Sequence, residues 1–198
     1  LIGFAELSER NKYVRPNLFE DDRLILEDSR HPVIEKLLEE STFVPNDVRM
    51  NSESRQIILL TGPNMAGKST YIRQVAICVL MAHLGCFIPA RKAEIGIVDK
   101  LFTRIGAADN LSRGLSTFMV EMVEVANILN NASSNSLIIL DEVGRGTSTY
   151  DGVSIAWAVV EYVAENPYAR PKTLFATHYH ELLQMGEQSE HDQNYQVV

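Results

Sequence analysis

Residues Gly62, Pro63, Asn64, Met65, Ala66, Gly67, Lys68, Ser69 and Thr70 place glycines, a lysine and hydroxyls directly behind the apolar run Ile57–Leu60. The spacing satisfies G-x-x-x-x-G-K-[ST], the pattern of a phosphate-binding loop. Glycines let the backbone curl until successive N–H groups face one oxyanion. A helix opening near Lys68 aims its positive dipole end at the same place. Lys68 is then expected at the β- and γ-phosphates of ATP or ADP, and the Ser69 hydroxyl on Mg²⁺.

The second half of such a site is read from Leu137-Ile-Ile-Leu140-Asp141-Glu142, an apolar strand ending in two carboxylates. Ligands of parallel sheets bind beyond the strands' carboxyl ends. Asp141 is expected to hold Mg²⁺ through water, and Glu142 to orient and polarise an attacking water. Leu174-Phe-Ala-Thr-His178 puts a histidine at the end of another apolar strand, where it could donate to the γ-phosphate or the water. Ser116-Thr117 opens a helix and offers a second anion site, although a plain N-cap is the commoner explanation of such a pair. Gly144-Arg-Gly-Thr-Ser-Thr149 is too rich in glycine and hydroxyls for helix and reads as a loop able to approach another surface. His178, His180 and Glu181 lack a third or fourth ligand at metal-site spacing.

The elements that must position these groups alternate between β-type and helix-type patterns. Strands are predicted at Leu24–Leu26, 56–60, 97–105, 136–140 and 173–176. Helices are predicted over 1–15, 33–40, 68–84, 117–130 (Phe118, Met122, Val125 and Leu129 on one face) and 153–164. Residues 41–55 and the last dozen read as polar and irregular. Apolar strands without alternation are buried on both faces, the mark of a parallel sheet, and their alternation with helices gives a doubly wound α/β core.

The chain has 198 residues, 45% hydrophobic and 22% charged, with a net charge of −8. That suits a soluble domain, with neither a membrane span nor a secretory leader. An acidic balance argues against autonomous nucleic-acid binding, which needs clustered Lys and Arg. Cys78 and Cys86, eight apart in one apolar stretch, suit reduced thiols in a cytosolic setting. The first residue, Leu1, suggests a piece of a longer protein.

Taken with Arg30-His-Pro-Val-Ile34, the stretches 62–70, Ser116-Thr-Phe-Met-Val-Glu-Met122, Asp141–Thr149 and Ala176-Thr-His178 follow one another in the order found in a known family. The sequence closely resembles the ATPase domain of the MutS mismatch-repair family, within the ABC-type branch of P-loop ATPases. The resemblance runs from about residue 1 to about 186. One departure is Ala66, where many members carry glycine; its methyl is tolerable if φ stays negative. The resemblance implies an α/β P-loop NTPase fold, ABC ATPase-like, with a mainly parallel sheet flanked by helices. Residues 1–20 would end a preceding lever region and 21–198 form the ATPase domain, with a C-terminal dimerisation region mostly absent.

Further implications concern the site and its partners. Phe43 would stack adenine, and Asn64 would face a γ-phosphate across an interface. Ser116 would reach the γ-phosphate bound to a second ATPase domain, and residues 144–151 would cross between the two sites. The partners implied are that second domain (a homodimer), mismatched double-stranded DNA held through domains outside this chain, and downstream repair proteins. No membrane is involved, and the setting is the bacterial cytoplasm. Among competing readings, a transporter ATPase would carry Leu-Ser-Gly-Gly, a kinase an Arg-bearing lid, and a Rossmann fold G-x-G-x-x-G after a strand; none occurs. A non-catalytic scaffold would have no need of Lys68, Ser69, Asp141 and Glu142 together.

Overall fold

The computed structural model describes residues 2–38, 43–63, 66–106, 117–188 and 195–197. Its elements in chain order are α1 (Ile2–Arg10), β1 (Asn17–Phe19), β2 (Leu24–Ser29), α2 (Ile34–Leu37), β3 (Asn46–Met50), β4 (Ile57–Leu60), α3 (Lys68–His83), β5 (Lys92–Gly96), β6 (Leu101–Arg104), α4 (Thr117–Asn131), β7 (Leu137–Asp141), α5 (Thr149–Glu165), β8 (Lys172–Ala176), α6 (Leu183–Gln188) and β9 (Tyr195–Val197). The chain divides into two compact units, one of residues 1–51 with 69–98 and the other of 52–68 with 99–198. Among the described residues, no helix is long and apolar enough to cross a membrane.

The second unit is built on a five-stranded sheet in the order β6-β7-β8-β4-β9. Every pairing in it is parallel. All residues of β4, β7 and β8 are buried, as runs without alternation require. On one face Ile57, Leu59, Ile138, Leu140 and Phe175 meet Val125 and Ile128 of α4 and Ala156, Val159, Val160 and Val163 of α5. This is the parallel, helix-covered sheet that the sequence predicts. Ser148 caps α5, its hydroxyl accepting the Asp151 N–H, so the helix starts at Thr149 and not at Val153. The last residues are not wholly irregular, since β9 pairs with β4 from Ile57↔Tyr195 to Leu59↔Val197.

The first unit holds a second sheet, β1-β5-β2-β3, in which β2 pairs antiparallel with both β3 and β5. Its presence corrects the irregular reading of 41–55. Asn-Asp-Val-Arg-Met looks polar, yet Val48 and Met50 are buried while Asp47 and Arg49 face outward, the period of a half-buried strand. The strand predicted over 97–105 is shorter, β6 taking only Leu101–Arg104, and β5 ahead of it was not predicted. Val98 N donates to His83 Nε2 at 2.9 Å, which takes that backbone out of any ladder. Similarly, α1 stops at Arg10, before a left-handed Lys12 (φ 53°). Helix α3 closes on Gly85, with Gly85 N–H donating to Ala82 O and Cys86 N–H to Met81 O, a left-handed glycine cap.

Candidate nucleotide site

Register decides where the chemistry gathers. Leu60 lies opposite Ala176, and Ala176 opposite Asp141, so β4, β8 and β7 end in one row. Thr177 N–H donates to Leu60 O and Glu142 N–H to Ala176 O, each at 2.9 Å, which carries the row one residue further. The loop 61–67, the pair Asp141–Glu142 and the pair Thr177–His178 therefore leave the same edge of the sheet, the carboxyl edge where parallel sheets bind ligands.

The two glycines of the loop have the backbone that composition predicts. Gly62 (φ 139°) and Gly67 (φ 90°) take conformations that side chains rarely adopt. Ala66 N–H donates to Pro63 O at 3.3 Å within the loop. Lys68 Nζ donates to Gly62 O at 2.6 Å and Pro63 O at 2.9 Å, so the ammonium lies over the loop it follows. Ser69 and Thr70 continue the first turn of α3. Phe43 is half-buried ahead of β3 in the other unit. Asn64, Met65 and Ser116 lie outside the described residues; α4 begins at the following residue, Thr117.

Glu142 sits between buried Asp141 and Val143 and is itself left-handed, φ 59°. For a residue without a short polar side chain that conformation costs about 1–2 kcal/mol. It turns the carboxylate toward His178 and Arg145. His178 Nε2 bonds Glu142 Oε1, and Arg145 Nη1 bonds Glu142 Oε2. Burial works to raise the Glu142 pKa, but the His178 hydrogen bond and the Arg145 charge outweigh it and hold the carboxyl below its ordinary value. An ionised carboxylate only 20% exposed, with a histidine on one oxygen, is what a water-orienting group needs.

Sequence reasoning passed over the groups that brace this turn. Glu121 of α4 is 3% exposed. Its Oε1 accepts the Gly144 N–H at 2.7 Å, and its Oε2 lies 3.8 Å from Arg104 Nη2. The Tyr179 hydroxyl donates to Gly144 O at 3.0 Å. Burial, helped by the nearby charge of Glu121, raises the Tyr179 pKa, so the phenol keeps its proton. Gly144 (φ 89°) is pressed against Gly152 of α5 so closely that a Cβ on it would lie 2.6 Å from Gly152 O. One signal was present in the sequence: Glu121 falls on the buried stripe Glu121, Val125, Ile128, and a lone acid on an apolar stripe seldom lacks a buried partner.

The residues also suit Mg²⁺ by donor chemistry. A hydroxyl at Ser69 and a 4%-exposed carboxylate at Asp141 are hard oxygen ligands. No group of three or more His, Cys, Asp or Glu residues suited to a metal exists among the described residues.

Comparison with known proteins places this geometry. The family model for MutS domain V matches residues 58–198. The chain is 58% identical to the DNA mismatch repair protein MutS of Caldicellulosiruptor bescii over 197 residues, all of this chain and 23% of that protein. It is 58% identical to the protein of that name from Acetivibrio thermocellus over 98% of this chain and 22% of the relative. With the Parabacteroides distasonis protein it shares 57% over 100% of this chain and 23% of the relative. The chain thus spans under a quarter of the length of these relatives. Its glycine-rich stretch 62–70, acid-ended strand and histidine-ended strand all lie in the stretch matched by the family model, and the chain belongs to the MutS family as a domain V.

Proposed function

We propose that this chain binds and hydrolyses ATP, and that it serves a DNA mismatch repair protein as the relatives' name indicates. The observation that carries the reading is the common row in which β4, β7 and β8 end. It gathers a phosphate loop, a buried carboxylate and a paired Glu142–His178 on one edge. Gly62–Thr70 cradle the phosphates, with Lys68 on the β- and γ-oxygens. Ser69 and Asp141 would supply the chain's oxygen ligands to Mg²⁺. When bound, that ion supplies a positive charge which offsets charge developing on the phosphates. Glu142 accepts a proton from, and orients, the attacking water, and His178 fixes the Glu142 oxygen it touches. Ser116 of a second copy completes the site from outside. Catalysis of this kind is placement and electrostatics.

In this reading residues 1–20 end a lever from DNA-contacting domains, residues 21–198 are the ATPase domain, and the nucleotide state governs clamping on mismatched DNA by a dimer in the bacterial cytoplasm. Calorimetric titration with a non-hydrolysable ATP analogue and Mg²⁺, together with turnover of Glu142→Gln, tests it. The expected result is analogue binding by both forms and turnover by the unsubstituted chain alone. Absence of Mg-nucleotide binding, or undiminished turnover by Glu142→Gln, would overturn it.

A further inference from the structure

The Gly144 turn is held on three sides, and none of the holding groups belongs to the nucleotide site proper. Glu121, buried in α4, takes the turn's N–H at 2.7 Å. Tyr179, three residues beyond β8, donates its hydroxyl to the carbonyl of the same residue at 3.0 Å. Gly152 in α5 presents bare backbone to it, and a Cβ there would overlap the Tyr179 hydroxyl and lie 2.5 Å from Gly144 O. Next along the turn, Gly146 packs on Phe118 of α4, where a Cβ would meet the Phe118 Cβ at 3.1 Å. The pinned residue stands two positions after Glu142, whose left-handed φ of 59° must be maintained by its surroundings. Because both polar groups of one peptide residue are fixed, the turn has little freedom to rotate. The direction of the Glu142 carboxylate is fixed with it.

We propose that Glu121 and Tyr179 are positioning residues for the hydrolytic step: they clamp Gly144 by its N–H and its C=O and so hold Glu142 in its left-handed, water-orienting conformation. Glu121 lies four residues into α4, whose first residue follows Ser116. Any shift of that helix start is therefore felt at the turn through a buried carboxylate. The ion pair to Arg104 offsets the charge that Glu121 would otherwise bury alone.

This inference rests on the proposed role of Glu142, and the experiment separates the two. Single-turnover ATP hydrolysis and ATP-analogue binding are measured on the whole protein for Glu142→Gln, Glu121→Ala, Glu121→Gln, Tyr179→Phe, and for Glu121→Ala and Tyr179→Phe each combined with Glu142→Gln. Loss of aim by about 1 Å costs up to about 10²-fold. Glu121→Ala and Tyr179→Phe are expected to slow the chemical step at least tenfold, with analogue affinity within about twofold of the parent, a split that general destabilisation would not give. Glu121→Gln keeps an oxygen acceptor for the Gly144 N–H and is expected to recover most of the rate. In the double variants the losses should not multiply, because a brace acting through Glu142 has nothing left to hold once that carboxylate is gone. If Glu142→Gln slows hydrolysis while Glu121→Ala and Tyr179→Phe do not, or if their effects multiply with it, the clamp is wrong and the nucleotide site stands. If Glu142→Gln itself has no effect, the parent reading fails first. Should Glu121→Ala fail to fold, Tyr179→Phe, which removes a single oxygen, decides alone.

Discussion

Gly144→Ala is the sharpest test of how tightly the turn is built. At φ 89° an alanine sits in left-handed space, at a cost of about 1–2 kcal/mol. Its Cβ would stand 2.6 Å from Gly152 O and 2.9 Å from Gly152 Cα. Those are helix backbone atoms with no rotamer to move aside, and overpacking of that kind costs a further ~1–3 kcal/mol. The sum, about 2–5 kcal/mol, is a large part of the ~5–15 kcal/mol that holds a domain folded. At ~2–4 °C per kcal/mol for a chain of this length, the melting temperature should fall by about 4–20 °C. Gly67→Ala in the same unit is the control. Its φ of 90° is nearly the same, but nothing lies within 4 Å of the added Cβ. It carries the backbone cost alone, so its nucleotide-free melting point should drop by only about 2–8 °C. Calorimetric melts of both, with single-turnover hydrolysis of Gly144→Ala, complete the assay. If Gly144→Ala melts no lower than Gly67→Ala, or hydrolyses ATP at the parent rate, the close packing of Gly144 on Gly152 does not govern the turn.

Lys68→Ala removes the ammonium that spans Gly62 O and Pro63 O; loss of ATP-analogue binding by at least tenfold, read by calorimetry, is expected. Glu142 is held below its ordinary value, so the stability it contributes is present above the unfolded carboxylate pKa of about 4.3 and is lost as pH falls through the lower folded value. Arg145→Ala removes one of the groups holding it down, and the acid limb of the single-turnover pH profile should move to higher pH. Cys78 is fully buried and burial pushes its thiol up to about 12. A thiol reagent should therefore modify half-buried Cys86 first under native conditions, and Cys78 only on unfolding.

The parts of the site written in one continuous stretch were legible from the sequence. The loop 62–70 announces itself by residue type and spacing, and β4, β7 and β8 by apolar runs too even for anything but a sheet buried on both sides. The antiparallel sheet was hidden because β3 spends its polar residues on the solvent side and shows only Val48 and Met50 inward. The partners of Glu121 and Tyr179 were hidden for a different reason. Each acts on a residue 23 or 35 positions away, and that proximity exists only after the strands have aligned. The left-handed conformation of Glu142 likewise leaves no trace in composition, since glutamate is not a residue chosen for such backbone.

Comfort and chemistry compete at position 142. Glycine or asparagine would relax the backbone there. Neither, however, extends a carboxylate to the partners that glutamate touches. A library screened only for heat resistance should drift toward those residues and yield proteins that are sturdier and inert. Restoring glutamate would return turnover and give back the gain in robustness, so the two traits should trade places at a single codon.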